Sequence, residues 1–98
     1  MTGYVLTPAA AGDVDAIWDY TAANSNVDQA ERYINQIRDA CLALAAGMRQ
    51  SRPVDVRSGY RKLHVGSHTL YFRTEADGLI VIVRILHQRM DVARNLEL

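Results

Sequence analysis

The sequence predicts a single α+β domain: an N-terminal strand, an antiparallel helix hairpin, a three-stranded antiparallel meander, and a short C-terminal helix or tail. Three observations predict it. Apolar residues recur every three or four positions up to Met48. Strands follow Gly59 and end in the continuous apolar run Leu79-Ile-Val-Ile-Val83, read as a central strand covered on both faces. Glycine turns at Gly66-Ser67 and Asp77-Gly78 separate those strands. Ninety-eight residues, 49% of them hydrophobic, can form one core. A chain of this size buries roughly two-thirds of its unfolded surface, so residues 1–98 are read as one domain.

Tyr4-Val-Leu6 forms the first short strand. Thr7-Pro8 starts a helix, with the threonine as N-cap and proline at the first helical position, where its missing N–H costs nothing. Ala10, Val14, Ile17, Trp18 and Thr21 give this helix one apolar face over roughly residues 8–23, and Asn24-Ser-Asn26 ends it. The second helix carries Val27, Ala30, Ile34, Ile37, Cys41, Leu44 and Met48 as a stripe. Such a stripe can be a coiled-coil seam, but the very short connection favours an antiparallel hairpin packed on a sheet. Residues 50–58 have no periodicity and contain Pro53, so they are expected to form a basic loop.

If both turns close two-residue hairpins, Val65 faces His68, Leu63 faces Leu70, Lys62 faces Tyr71, Tyr60 faces Arg73, Phe72 faces Val83, Tyr71 faces Arg84 and Leu70 faces Ile85. Alternation then puts Leu63, Val65, Leu70, Phe72, Val81, Val83 and Ile85 under the helices. The opposite face collects Tyr60, Lys62, His64, Thr69, Tyr71, Arg73, Ile80, Ile82, Arg84 and Leu86. The plain alternative is a solvated sheet face, but an open strip of Ile80, Ile82 and Leu86 is one that small monomers usually cover. Gln88–Leu98 follows as a terminal helix capped by Asp91, with Val92 and Leu96 one turn apart, or as a docked or frayed tail.

Net charge is zero, yet residues 1–48 hold six acidic and two basic residues (−4), and residues 49–98 hold five acidic and nine basic (+4). An acidic partner is expected on the second half. No apolar run approaches the ~18 to 20 residues of a membrane span, and the N-terminus lacks a signal peptide's pattern, so a cytoplasmic protein is expected. Cys41 sits on the apolar stripe and reads as a small core residue. The three histidines lack metal-ligand spacing, and Gly59, Gly66 and Gly78 read as turn residues, so neither a metal nor a phosphate-binding loop is expected. Lys62, Tyr71, Arg73 and Arg84 could together act on RNA, or equally bind carboxylates.

The element order, with Gly-Tyr-Arg-Lys-Leu at 59–63, Gly-Ser-His at 66–68, Arg-Ile-Leu-His-Gln-Arg-Met-Asp at 84–91 and Ala-Glu-Arg-Tyr at 30–33, resembles ParE toxins of the RelE/ParE superfamily. The resemblance covers nearly the whole chain. It implies a toxin of a type II toxin-antitoxin system that inhibits DNA gyrase by binding, without a cofactor. It also implies neutralisation by a ParD-like ribbon-helix-helix antitoxin in a hetero-oligomer that reaches operator DNA only through that antitoxin. Antitoxin contacts are then expected at Trp18, Tyr60, Lys62, Tyr71, Arg73, Ile82, Arg84 and Leu86. Gyrase contacts are expected at Arg52, Arg57, Arg89, Met90, Asp91 and Arg94. RelE-type relatives instead cut mRNA on the ribosome, usually with a tyrosine or histidine near the C-terminus. That alternative would use Lys62, Tyr71, Arg84 and His87, but no tyrosine follows Tyr71.

Overall fold

The computed structural model describes residues 3–96. Its elements run β1 (Tyr4–Leu6), α1 (Pro8–Asn24), α2 (Val27–Ala45), β2 (Arg52–Pro53), β3 (Arg61–Val65), β4 (His68–Thr74), β5 (Ile80–His87) and α3 (Val92–Asn95). They form one five-stranded sheet in the order β1-β5-β4-β3-β2, with the α1–α2 hairpin on one face. The expected meander is β3 to β5. β1 joins it in parallel with β5, and the basic loop contributes β2 as a two-residue edge strand, Arg52 opposite Lys62.

Caps fix the helices. The Thr7 hydroxyl accepts from the Ala10 N–H at 3.1 Å and donates to the Val83 carbonyl at 2.8 Å, so one side chain starts α1 and satisfies β5 beyond the end of β1. Asn26 accepts from the Gln29 N–H at 2.8 Å and starts α2 only one residue after the C-cap of α1. α2 ends in a Schellman motif: Gly47 takes φ 73°, and the Met48 N–H donates to the Ala43 carbonyl at 2.8 Å. The helix therefore stops before Met48. That residue is exposed, as is Val27 at the other end, which corrects the expected stripe at both extremities.

The two turns differ. Gly66 has φ 59° and Ser67 is not at positive φ, the pattern of a two-residue type II′ turn, so Val65 pairs with His68 as expected. The second turn is longer than expected. The Glu75 N–H donates to the Leu79 carbonyl, the Gly78 N–H donates to the Glu75 carbonyl, and Gly78 at φ 90° closes a three-residue loop. Thr74 therefore pairs with Ile80, and Phe72 with Ile82 rather than Val83. A β-bulge at Val83 restores the expected register, Tyr71 with Arg84 and Leu70 with Ile85. The extra loop residue and the bulge cancel each other.

Between the two irregularities every side chain of β5 lies on the face opposite to the one expected. Ile80 and Ile82 join Leu63, Val65, Leu70, Phe72 and Ile85 under the helices, against Ile17, Ile37, Cys41 and Leu44. Val81 and Val83 move to the second face, where they form a smaller core with Tyr71, Leu86, Val54 and Leu96. That face is not open. The loop after β2 and the tail through α3 cover it, with Leu96 1% exposed. The apolar strip expected on the surface at Ile80, Ile82 and Leu86 is thus divided between two cores, and all three residues are buried. The terminal helix forms with Asp91 as its cap, its carboxylate accepting from the Arg94 N–H. The last expected residues of the tail, Glu97 and Leu98, lie outside the described residues.

Candidate functional site

Arg84 stands on β5 where that strand has run past β1 and exposes an unpaired edge. Asp13, in the second turn of α1, meets that edge. Its carboxylate accepts two Arg84 N–H groups at 2.8 and 2.9 Å and the Ile85 backbone N–H at 2.8 Å. Arg84 donates a further bond to the Asn95 carbonyl of α3 at 3.1 Å. The guanidinium therefore links α1, β5 and α3. Asp13 is the first cause that holds it even more firmly protonated than an ordinary arginine.

Of the residues expected on one receiving surface, Tyr60, Lys62, Tyr71, Arg73, Arg84 and Leu86 share the second sheet face. Lys62, Tyr71 and Arg84 stand there in one cross-strand row, whereas Ile82 lies under the helices and Trp18 on the hairpin. Ile82, Leu86 and Tyr71 are buried, and burial pushes the Tyr71 hydroxyl above its ordinary range. Arg73 pairs with Glu75 at 3.1 Å. Tyr60 lies under the Arg57 guanidinium, 5.2 Å from its ring centroid, and Lys62 is half-buried on β3. Trp18 sits on the outer side of the helix hairpin in a shallow pocket with Ile34, Glu31 and Arg38. Three of the four residues of the RNA-cutting alternative stand together, and the fourth does not join them. Lys62, Tyr71 and Arg84 form one row on the second sheet face, with Tyr71 buried and Arg84 held by Asp13, and His87 lines the helix side. Arg52, Arg89, Met90, Asp91 and Arg94 are exposed, and Arg57 is half-buried. Val54 and Leu96 share the second core, so the basic loop and the tail meet over one side of the sheet.

A cleft of about 670 Å³ opens between the hairpin and the far ends of β4 and β5. Ile17, Tyr20, Ile85 and Met90 give it apolar walls, and Tyr33, His68 and His87 form its polar end. The Tyr33 hydroxyl accepts from the Ser67 N–H at 3.1 Å, shares a hydrogen bond with His68 Nδ1 at 2.6 Å, and lies 3.2 Å from the Val65 carbonyl. Only glycine fits at the facing turn position, because a Cβ on Gly66 would lie 2.7 Å from the Tyr33 ring. His68 and His87 are paired across the ladder and meet edge to face, with centroids 5.3 Å apart. Desolvation, and then the neighbouring His87, lower the pKa of His68. Desolvation raises that of Tyr33, with the Ser67 N–H opposing.

No single sequence motif announces this cleft, although its parts were visible. The Leu70–Ile85 pairing carried two residues further places His68 opposite His87, and the Gly-Ser-His turn has to receive a side chain from the helix above it. No Lys or Arg lines the cleft, and no metal-binding cluster of His, Cys, Asp and Glu occurs among the described residues. The arrangement suits side-chain binding better than phosphate chemistry.

Comparison with known proteins agrees with this architecture. The family model of the ParE toxin of the type II toxin-antitoxin system, parDE, matches residues 4–92. Toxin ParE1 of Mycobacterium tuberculosis is 50% identical over 94 residues, covering 95% of this chain and 96% of that one. Toxin ParE1 of Caulobacter vibrioides is 31% identical over 97 residues, covering 98% and 99% of the two chains. Among solved structures, the chromosomal ParDE system from P. aeruginosa superposes with a TM-score of 0.76 at 26% identity, covering 89% of this chain and 96% of that one. The chain belongs to the ParE toxin family of type II toxin-antitoxin systems.

Proposed function

We propose that this chain inhibits DNA gyrase by binding rather than by catalysis, and that a ParD-like ribbon-helix-helix antitoxin neutralises it. The observation that carries the reading is family membership over residues 4–92, supported by a structural neighbour solved as a ParDE system. Lys62, Tyr71 and Arg84 share a row, but Tyr71 is buried, Arg84 is engaged by Asp13 and His87 is on the opposite face, which argues against RelE-type cleavage of mRNA. Operator DNA is reached only through the antitoxin, and the complex is a hetero-oligomer acting in the cytoplasm. No described helix is long and apolar enough to cross a membrane.

On this reading the antitoxin engages what the fold leaves accessible of the expected set: Trp18 on the outer hairpin, and Tyr60, Lys62 and Arg73 along the sheet. Ile82, Leu86 and Tyr71 support that surface from beneath, and Arg84 holds the elements that frame it. Gyrase is contacted by the exposed rim of the second-face cover: Arg52 and Arg57 in the loop, and Arg89, Met90, Asp91 and Arg94 in the tail.

The test is a supercoiling assay with purified gyrase, run beside a translating-ribosome assay. Lost supercoiling, restored by adding a ParD-like ribbon-helix-helix antitoxin, with intact mRNA, is the expected result. Cleaved mRNA with unimpaired gyrase would replace the proposal with the ribonuclease reading.

A further inference from the structure

The row formed by Lys62, Tyr71 and Arg84 begins one strand earlier, at Arg52 on β2. Arg52 and Lys62 stand directly opposite each other, so both side chains rise from the second sheet face with their Cβ atoms about 5 Å apart. Like charges so placed destabilise a sheet. Among the described residues neither has a carboxylate partner, because the two ion pairs formed there are Arg73–Glu75 and Arg84–Asp13. A third cation joins them. The Arg57 guanidinium lies over the ring of Tyr60, which packs on the second core two residues before Lys62. Residues 49–74 hold six Lys or Arg and one acid, Asp55, which is exposed and pairs with none of the six.

We propose that Arg52, Arg57 and Lys62 form a phosphate-binding corner that grips the backbone of duplex DNA without reading its sequence. Backbone phosphates require only cations held at a surface, and arginine meets a phosphate with two parallel N–H bonds. An anion between Arg52 and Lys62 turns their repulsion into two attractions. The hairpin directs DNA to this corner, because residues 8–45 hold six acidic and two basic residues and repel a polyanion.

Two other occupants fit less well. Single-stranded nucleic acid is held by bases stacked on open aromatic rings, and here Tyr71 is buried and Tyr60 is covered by Arg57. An acidic peptide strand gains little from this edge, because β2 is two residues long and one of them is Pro53, which has no N–H to donate. The inference deepens the proposed gyrase contact of Arg52 and Arg57, and rests on that reading only for the source of the duplex, since gyrase acts on DNA. Lys62 also belongs to the proposed antitoxin surface, so antitoxin and duplex exclude each other there.

The test follows the fluorescence anisotropy of a labelled duplex mixed with the full chain, beside a single-stranded RNA of the same length and a polyglutamate peptide. Three neutralised phosphates give a salt slope of about −2.7, so affinity for the duplex is expected to fall about 40-fold between roughly 50 and 200 mM salt. The double variant Arg52→Ala, Lys62→Ala is expected to bring the slope to about −0.9 and the fall to about 3.5-fold. Its melting temperature should not drop, because a like-charge pair has been removed. Arg32→Ala, on the hairpin, should leave the slope unchanged. No binding of the duplex at the lower salt, an unchanged slope in the double variant, or a double variant that melts lower than wild type would each overturn the proposal. RNA or polyglutamate bound as tightly as the duplex would also overturn it and give the corner to that occupant. None of these mixtures contains gyrase or antitoxin, so this result and the supercoiling result stand or fall separately.

Discussion

Replacing Asp13 with alanine removes the acceptor that ties α1 to β5, and its cost can be worked from the geometry. Two N–H groups of Arg84 lose their carboxylate, and the Ile85 backbone N–H loses its only partner at an edge that no strand covers. An unsatisfied backbone donor costs about 1–3 kcal/mol, and breaking a buried ion pair about 3–5 kcal/mol. The pair here is partly open to solvent, with side chains 23% and 14% exposed. Screening lowers its share, and about 3 kcal/mol in total is expected. Asp13→Asn keeps an oxygen for Ile85 and should cost roughly half as much. Urea unfolding followed by circular dichroism reads the change. At a slope of roughly 1.5 kcal/mol/M the alanine variant's midpoint falls by about 2 M, and its melting temperature by about 15 °C. Two outcomes would refute the reasoning: an alanine variant within about 0.5 kcal/mol of wild type, the range of ordinary surface changes, or an asparagine variant that costs as much as the alanine one.

Gly66→Ala combines a positive φ with a Cβ driven into Tyr33, and should cost about 2 kcal/mol and displace the His68 ring resonances in an NMR spectrum. Leu96→Ala opens a hole under the tail where the side chain is 1% exposed, and a loss of about 3 kcal/mol is expected by chemical denaturation. Cys41 is buried, and desolvation pushes its thiol up to about 11 from an ordinary 9.0. Disulfide-exchange reagents at pH 8 should therefore label it only in unfolded chains. Because this pKa is raised on folding, the protein gains stability from it below pH 9 and loses that gain as pH rises toward 11. Cys41→Ala should remove the alkaline loss attributable to this group while leaving the tyrosine transitions.

Local chemistry made much of the fold legible. Thr7-Pro8, Asn24-Ser-Asn26 and Gly66-Ser67 each mark a helix start, a helix end or a hairpin turn, and the structure has those features at all three. The second turn was harder, because Asp-Gly serves both two-residue and three-residue loops and the difference is one residue of register. Val83 gave no hint that it would be the bulge, since a valine sits equally well on either sheet face. The misassigned faces of Ile80 to Val83 follow from that one count. The second core was hidden for a different reason. Its cover comes from a loop and a one-turn helix, neither of which shows hydrophobic periodicity. At the candidate site the sequence offered residue types but not pairings. Arg84 had no visible partner because Asp13 lies 71 positions away, and His68 and His87 become a pair only once the register is extended to the ladder's end.

The position of β5 also governs when this protein can exist as a folded object. Among the described residues it is the last strand made, yet it lies between β1 and β4 and is the strand that β1 pairs with. Thr7 anchors across 76 positions to Val83, so β1 and the start of α1 wait for β5. Such non-local pairing is slow to form and cannot be completed during early synthesis. A nascent or interrupted chain ending before Ile80 has helices but no sheet centre and neither finished core. Translation thus sets an interval in which the chain is present but its folded surfaces are not.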